Sequence, residues 1–204
     1  MRSKILSFSA AVLLAVCGSA AAEPSWVIDA GELFFQEQGK PRRAVTLPGW
    51  QWAAQPYACA PAIALGPRGE VIVTSNVLPV LWKIDAGTLT VSVHALELDA
   101  DTDKDVGFSG LVYSERNGAY FAVSELTRTL WRIDPLLRRA QKVGLSEPLR
   151  GACAVSVQRQ GRPSVVSRLC VRGDSVSLAP DQRSAYVQPA GCASNAFALK
   201  GGSP

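Results

Sequence analysis

Three stretches of this sequence repeat one phrase: WVIDAG at residues 26–31, WKIDAG at residues 82–87 and WRIDP at residues 131–135. The two later copies belong to a longer match, because residues 61–85 align with residues 110–134 at a constant offset of 49 without a gap. Self-similarity at this spacing is typical of repeat proteins, in which each unit buries its apolar faces only against its neighbours. The sequence therefore predicts a repeat architecture.

Each repeat unit contains four short apolar stretches separated by turn residues. In the first unit, strands are predicted at residues 61–65, 70–75, 80–85 and 88–94. Glycine and proline occupy the first turn, GPRG at residues 66–69, where they favour a chain reversal. A unit of about 49 residues with four strands favours a β-propeller over other all-β folds.

The best-formed segment, FSGLVYSERNGAYFAVSE at residues 108–125, places an apolar strand, an Asn-Gly turn and a second apolar strand ending in Ser before a W-x-I-D strand. This pattern resembles the repeats of bacterial β-propeller proteins of the YVTN, NHL and gluconolactonase-like families. The resemblance covers residues 59–143 well and residues 175–199 loosely. It implies an architecture, and no activity follows from these structural motifs.

The predicted fold is all-β: a small, irregular β-propeller-like array of about four antiparallel units. Residues 59–95 and 110–143 form two full units, residues 151–171 a hairpin with no evident outer strands, and residues 175–199 a partial unit. The stretch Trp26–Phe35 can complete the partial unit, which would close the ring by pairing the two chain ends. The alternative is an open, twisted array or sandwich of the same hairpins, whose edges would need covering.

The first residues have the pattern of a secretory signal peptide. Arg2 and Lys4 precede an apolar stretch, and small residues end it at Ala22. We expect a signal peptide at residues 1–22, a single domain at residues 23–204, and a periplasmic or secreted protein without a membrane-spanning segment after cleavage. Lipid anchoring through Cys17 is the less favoured alternative, because Val16 is a poor residue directly before such a cysteine.

The charge of the chain argues against a polyanionic partner. Its formal net charge of +4 falls to +2 without Arg2 and Lys4 of the predicted leader, and so small an excess of basic residues on a mixed surface predicts no nucleic-acid binding.

Four cysteines follow the predicted leader: Cys59, Cys153, Cys170 and Cys192. An even number in an exported protein predicts disulfides. A hairpin turn centred between residues 161 and 162 would place Cys153 opposite Cys170, within the distance that a disulfide needs. Cys59 would then pair with Cys192 by elimination. The absence of a CxxC spacing in the sequence disfavours a zinc site.

In a four-stranded blade, the loop between the second and third strands lies on the same face as the loop that enters the next first strand. Asn76, Glu125 and Arg128 are therefore predicted to share one ligand-binding face. Trp50 and Trp52 lie outside the repeat and either line a groove there or cover an end of the ring. These features favour an exported binding module for an unidentified protein or small molecule.

An acidic loop contains Asp99, Asp101, Asp103 and Asp105. Alternating aspartates supply several hard oxygens, which predicts a Ca²⁺ site, although the EF-hand pattern is incomplete. The alternative is a solvated acidic loop. No other cofactor is predicted.

The alternative function is a metal-assisted, lactonase- or esterase-like hydrolase of the Ca²⁺-dependent type. The resemblance to propeller lactonases implies a set of carboxylates and amides, for which Asn76, Asp105 and Glu125 are the candidates. The sequence has no G-x-S-x-G motif, and its single histidine, His94, is interpreted as a structural or surface residue. No catalytic residue is therefore assigned, and a binding protein is favoured over an enzyme.

Overall fold

The computed structural model of the protein describes residues 25–29, 32–55, 59–99, 106–159 and 167–188. The predicted signal peptide, including Cys17, lies outside these residues. Among the residues described, no helix is long and apolar enough to cross a membrane. The elements are β1 Ser25–Asp29, β2 Glu32–Gln36, β3 Arg43–Val45, α1 Trp50–Ala53, β4 Ile63–Leu65, β5 Val71–Thr74, β6 Val80–Ile84, β7 Val91–Ala95, β8 Glu97–Leu98, β9 Gly110–Ser114, β10 Ala119–Ser124, β11 Thr129–Ile133, β12 Arg139–Leu145, β13 Val155–Arg159, β14 Ser167–Val171, β15 Asp174–Leu178 and β16 Ser184–Gln188.

The strands form four consecutive antiparallel units, here called blades 1 to 4. Blade 1 contains β1–β3, blade 2 β4–β7, blade 3 β9–β12 and blade 4 β13–β16. The first strands of blades 2, 3 and 4 lie side by side, as expected of inner strands around a common axis. The predicted fold class, an all-β, propeller-like array of about four units, is confirmed.

The duplicated residues occupy equivalent positions in blades 2 and 3. Trp82 faces Val73 across β5 and β6, and Trp131 faces Ala122 across β10 and β11, in the same register. The ungapped alignment is wrong by one residue for the first strand. Ile63 pairs with Val73, whereas Leu111, not Val112, pairs with Ala122. The turn of blade 2 at residues 66–70 has one residue more than the turn of blade 3 at residues 115–118, which shifts the strand before it.

Blade 4 corrects the division predicted for the last units. The hairpin at residues 151–171 and the partial unit at residues 175–199 were expected to be separate, but β13, β14, β15 and β16 form one antiparallel sheet. The partial unit predicted at residues 175–199 begins within β15, which is the third strand of blade 4. Residues 196–199 lie outside the described residues.

The blades differ at their edges. The outer strands of blades 3 and 4 pair in parallel over Gly144–Leu145 and Ser184–Ala185, and β8 adds a second parallel partner to β12. The described strands of blade 1 pair only with one another. In the described part of the chain, β1 therefore forms a sheet with β2 and β3. It does not pair with the strands of blade 4, as the predicted closure of the ring by the two chain ends would require.

Three apolar layers hold consecutive blades together. Trp82 faces blade 1, and Trp131 occupies the equivalent position in the layer between blades 2 and 3. Phe121, Leu130 and Leu169 belong to the layer between blades 3 and 4. Both tryptophans are buried, so their large apolar area packs between neighbouring sheets.

Replacing Trp131 by Ala should lower the free energy of unfolding by about 3–5 kcal/mol, because it leaves a large cavity between blades 2 and 3. Trp52→Ala is the matched control, since that indole is 75% exposed and its loss should change stability by less than about 0.5 kcal/mol. Urea unfolding followed by far-UV circular dichroism measures both values. Equal effects of the two substitutions would contradict the packing role.

Candidate functional site

Loops from three blades meet on one face of the array, here called the loop face. It contains Asn76 from the β5–β6 loop, Glu125 and Arg128 from the β10–β11 loop, Cys59 from the loop entering β4, and Cys153 from the loop entering β13. Asn76 and Glu125, which occupy equivalent repeat positions, each form a hydrogen bond with Cys59.

Cys59 is held from both sides by side chains at equivalent positions of blades 2 and 3. Glu125 Oε2 accepts a hydrogen bond from the Cys59 backbone N–H at 2.9 Å. Asn76 Nδ2 donates to the Cys59 carbonyl at 3.1 Å and to the Gln55 carbonyl at 2.8 Å, while its Oδ1 accepts from the Gln55 N–H at 3.0 Å. Asn76 is only 4% exposed, so it fixes the loop before blade 2 from within.

A disulfide joins Cys59 to Cys153, with 5.1 Å between their Cα atoms. The predicted pairs Cys153–Cys170 and Cys59–Cys192 are therefore wrong. Cys170 is also disulfide-bonded, and Cys192 lies outside the described residues. The bond connects the loop that enters blade 2 to the loop that enters blade 4. Both of its sulfurs lie within 4.8 Å of a carboxylate oxygen of Glu125, which belongs to the β10–β11 loop of blade 3.

The predicted Cys153–Cys170 pair is wrong because the hairpin in blade 4 has a different register from the predicted one. Cys170 pairs with Ser156, and Val171 pairs with Val155, so the strands are shifted by three residues from the predicted arrangement. Cys153 precedes β13 and belongs to a loop rather than to the ladder. A local turn could not reveal a disulfide that depends on the spatial proximity of two loops far apart in sequence.

Beside the disulfide lies an open pocket of about 330 Å³, lined by Glu125, Leu126, Arg128, Gly151 and Ala152. It combines a carboxylate, a guanidinium group and an apolar side chain that is 50% exposed. The pocket is open and more polar than apolar, so its two charged side chains are the main groups that it offers to a ligand.

The backbone wall of this pocket is fixed by several contacts. Ser109 Oγ donates to the Ala152 carbonyl, and the Leu149 N–H donates to the Arg128 carbonyl at 3.4 Å. The Arg150 N–H donates to Asp174 Oδ2 at 2.8 Å, which ties the same loop to blade 4. The wall therefore needs little reorganisation to receive a ligand.

Arg172, which sequence reasoning did not select, lies next to this pocket. Its Nη1 donates to Cys153 Sγ at 2.9 Å, and a Cβ added at Gly151 would lie 2.9 Å from its Cδ. Arg172 follows β14, and thus occupies the second-to-third-strand loop of blade 4. The signal that could have identified it is this topological equivalence with Asn76 and Glu125.

The other predicted site residues are dispersed. Trp50 is buried against Trp82, with ring centroids 5.1 Å apart, whereas Trp52 is exposed and remains a candidate contact residue. Asp99 lies at the outer edge of blade 3, where its Oδ1 accepts a hydrogen bond from the Lys142 N–H at 2.8 Å. Asp101, Asp103 and Asp105 lie outside the described residues, so the Ca²⁺ site stays a prediction.

His94 lies on β7, the outermost strand of blade 2. Its Nε2 is 3.0 Å from Ser92 Oγ. Desolvation, together with the nearby positive charge of Lys83, lowers the pKa of the imidazole below its usual 6.5. This environment belongs to the outer sheet and not to the loop face.

An NMR titration of this single histidine should therefore give a midpoint below 6.5. Because the unfolded chain then binds the proton more tightly, the contribution of His94 to stability is complete above the unfolded pKa and decreases as the pH falls below it. A midpoint at or above 6.5 would contradict the described burial.

Comparisons with known proteins identify the fold and nothing finer. No protein-family model matches the chain, and no curated protein sequence matches it. Virginiamycin B lyase from Staphylococcus aureus superimposes with a TM-score of 0.59 at 14% identity, over 84% of this chain and 53% of the enzyme. A streptogramin B lyase gives a TM-score of 0.54 at 11% identity, over 86% of this chain and 57% of that one.

These similarities confirm the resemblance to β-propeller proteins. The chain spans about half the length of the solved structures that it matches. At such low identity the likeness concerns the fold alone, so the residues of the loop face have to be interpreted from their own geometry.

Peptide mapping without reduction should recover the Cys59 and Cys153 peptides as one linked species. Replacing both cysteines by Ser should lower the free energy of unfolding by about 2–5 kcal/mol, because the bond closes a chain segment of 94 residues. Recovery of Cys153 linked to Cys170 would refute the described arrangement of the loop face.

Proposed function

We propose that the protein is an exported β-propeller module that binds a small zwitterionic ligand, such as a short peptide, in the pocket on its loop face. Export is supported by the leader-like first residues and by the Cys59–Cys153 disulfide, because such bonds persist in oxidising compartments. Binding is supported by the fixed, open pocket beside that bond.

The composition of the pocket indicates the ligand class. Glu125 offers a carboxylate to an ammonium group, and Arg128 offers a guanidinium group to a carboxylate, which it can bind in bidentate fashion. Leu126 supplies exposed apolar surface between these two residues in sequence. The joint presence of opposite charges and an apolar contact in one pocket is the observation that carries the proposal.

The described residues offer less support for the hydrolase. Of its three candidate ligands, Asn76 uses both ends of its amide in hydrogen bonds to the backbone of residues 55 and 59. Asp105, the carboxylate predicted to act with Asn76 and Glu125, lies outside the described residues. We therefore retain the binding module as the proposed function.

Isothermal titration calorimetry of the oxidised protein with unblocked dipeptides of apolar amino acids tests this proposal. Glu125→Gln and Arg128→Gln should each weaken binding about fivefold or more, because each removes one charge-assisted contact. Arg138→Gln is the matched control, since Arg138 is exposed outside the pocket, and it should leave the affinity unchanged.

Dipeptides blocked at both ends complete the test, because they keep the apolar contact but lack both charges. They should bind more weakly than the unblocked forms. Equal affinities for blocked and unblocked dipeptides, or no heat of binding for any of them, would refute the zwitterion site.

A further inference from the structure

We propose that reduction of the Cys59–Cys153 bond converts this part of the loop face into a zinc site formed by Cys59, Cys153 and Glu125. The two Sγ atoms and a Glu125 carboxylate oxygen lie within 4.8 Å of one another. This site takes a different ligand from the peptide pocket and exists only in the reduced protein.

The geometry is close to that of a three-ligand zinc site. In tetrahedral coordination with zinc–sulfur bonds of about 2.3 Å, two sulfur ligands lie about 3.8 Å apart. The Cα atoms of the two cysteines are 5.1 Å apart, so side-chain rotation after reduction can separate the sulfurs without moving the backbone far. A fourth position would remain for water, because the neighbouring pocket is open.

The surrounding residues orient the ligands. Hydrogen bonds from Asn76 and to Glu125 fix the Cys59 backbone. The bond to Glu125 also holds its carboxylate near the Cys59 sulfur. A carboxylate has two oxygens, so Glu125 can keep the Cys59 contact through Oε2 and bind a metal ion through Oε1. Such outer contacts hold metal ligands in a defined direction and strengthen binding.

Charge also favours the ion. Arg172 Nη1 lies 2.9 Å from Cys153 Sγ, and a neighbouring cation stabilises a thiolate relative to a thiol. Two thiolates and one carboxylate carry three negative charges, which Zn²⁺ and the Arg172 guanidinium together neutralise. The complex would thus leave no unbalanced charge at a partly buried site.

The chemistry balances with an external thiol as reductant. Two thiol molecules reduce the protein disulfide to two cysteine thiols and are themselves oxidised to a disulfide. Zn²⁺ then binds both sulfurs and releases one proton from each thiol. Reoxidation of the two sulfurs by an external disulfide, which is reduced to two thiols, would remove two ligands and release the ion.

Competition with a chromophoric zinc chelator tests the site on the full-length protein, reduced and then freed of reductant. Reduced wild type should bind one zinc ion more than reduced C59S/C153S. Any zinc that C59S/C153S still binds is held by other groups, such as the remaining thiols. Glu125→Gln should bind at least tenfold more weakly than wild type. Glu32→Gln, an exposed carboxylate of blade 1, should bind as wild type does.

Cobalt substitution gives a second readout, since sulfur-to-cobalt charge-transfer absorption should appear in reduced wild type and be absent from C59S/C153S. If reduction unfolds the chain, zinc should restore the circular dichroism signal of the strands in wild type but not in Glu125→Gln. Zinc binding that is unaffected by Glu125→Gln, or no zinc bound by reduced wild type, would overturn the proposal. Neither result bears on dipeptide binding by the oxidised, zinc-free protein.

Discussion

Apolar side chains on both faces of the inner blades are the constraint on which this structure depends. All six residues of β10 are buried, as are all four of β5. A single sheet cannot remove two apolar faces from water, so blades 2 and 3 each need a neighbour on either side. Blade 4, at the end of the described array, does not bury both of its faces in this way. On this blade Tyr186 pairs with Ser177 across two strands, and Tyr186 is exposed.

The loop face follows from the same stacking. Because the blades repeat one topology, their second-to-third-strand loops lie side by side and bring Asn76 and Glu125 to the same neighbour, Cys59. The loop that enters β9 also packs closely against the β5–β6 loop, which contains Asn76. A Cβ at Gly107 would lie 1.9 Å from the carbonyl carbon of Asn76, so only glycine allows this approach. The loop face is thus positioned by the stacked blades and then fixed by the Cys59–Cys153 disulfide.

The sequence contained enough information for the framework and for part of the site. The repeated tryptophans marked equivalent strands, and the offset of 49 residues placed Asn76 and Glu125 on one face. Two features could not be predicted in this way. The length of each turn sets the register of the strand before it, as the pairing of Leu111 shows. The Cys59–Cys153 bond depends on two loops that approach each other only when blades 2, 3 and 4 are stacked.

The composition of blade 4 also could not be predicted from the sequence pattern. Its strands lack the W-x-I-D phrase, and its hairpin and partial unit look like separate pieces until β14 and β15 pair. Arg172 escaped notice for this reason, since its equivalence to Glu125 becomes visible only once blade 4 is recognised as a complete blade. Topology, more than residue type, identified this part of the loop face.

The mutual dependence of the blades is tested most directly by native-state hydrogen exchange of an Ile72→Ala variant. Ile72 is fully buried on the side of blade 2 that faces blade 3. If neighbouring blades stabilise each other, amide protection should fall together in β5 of blade 2 and β10 of blade 3. Loss of protection in blade 2 alone, with β10 unchanged, would contradict the claim that neighbouring blades stabilise each other.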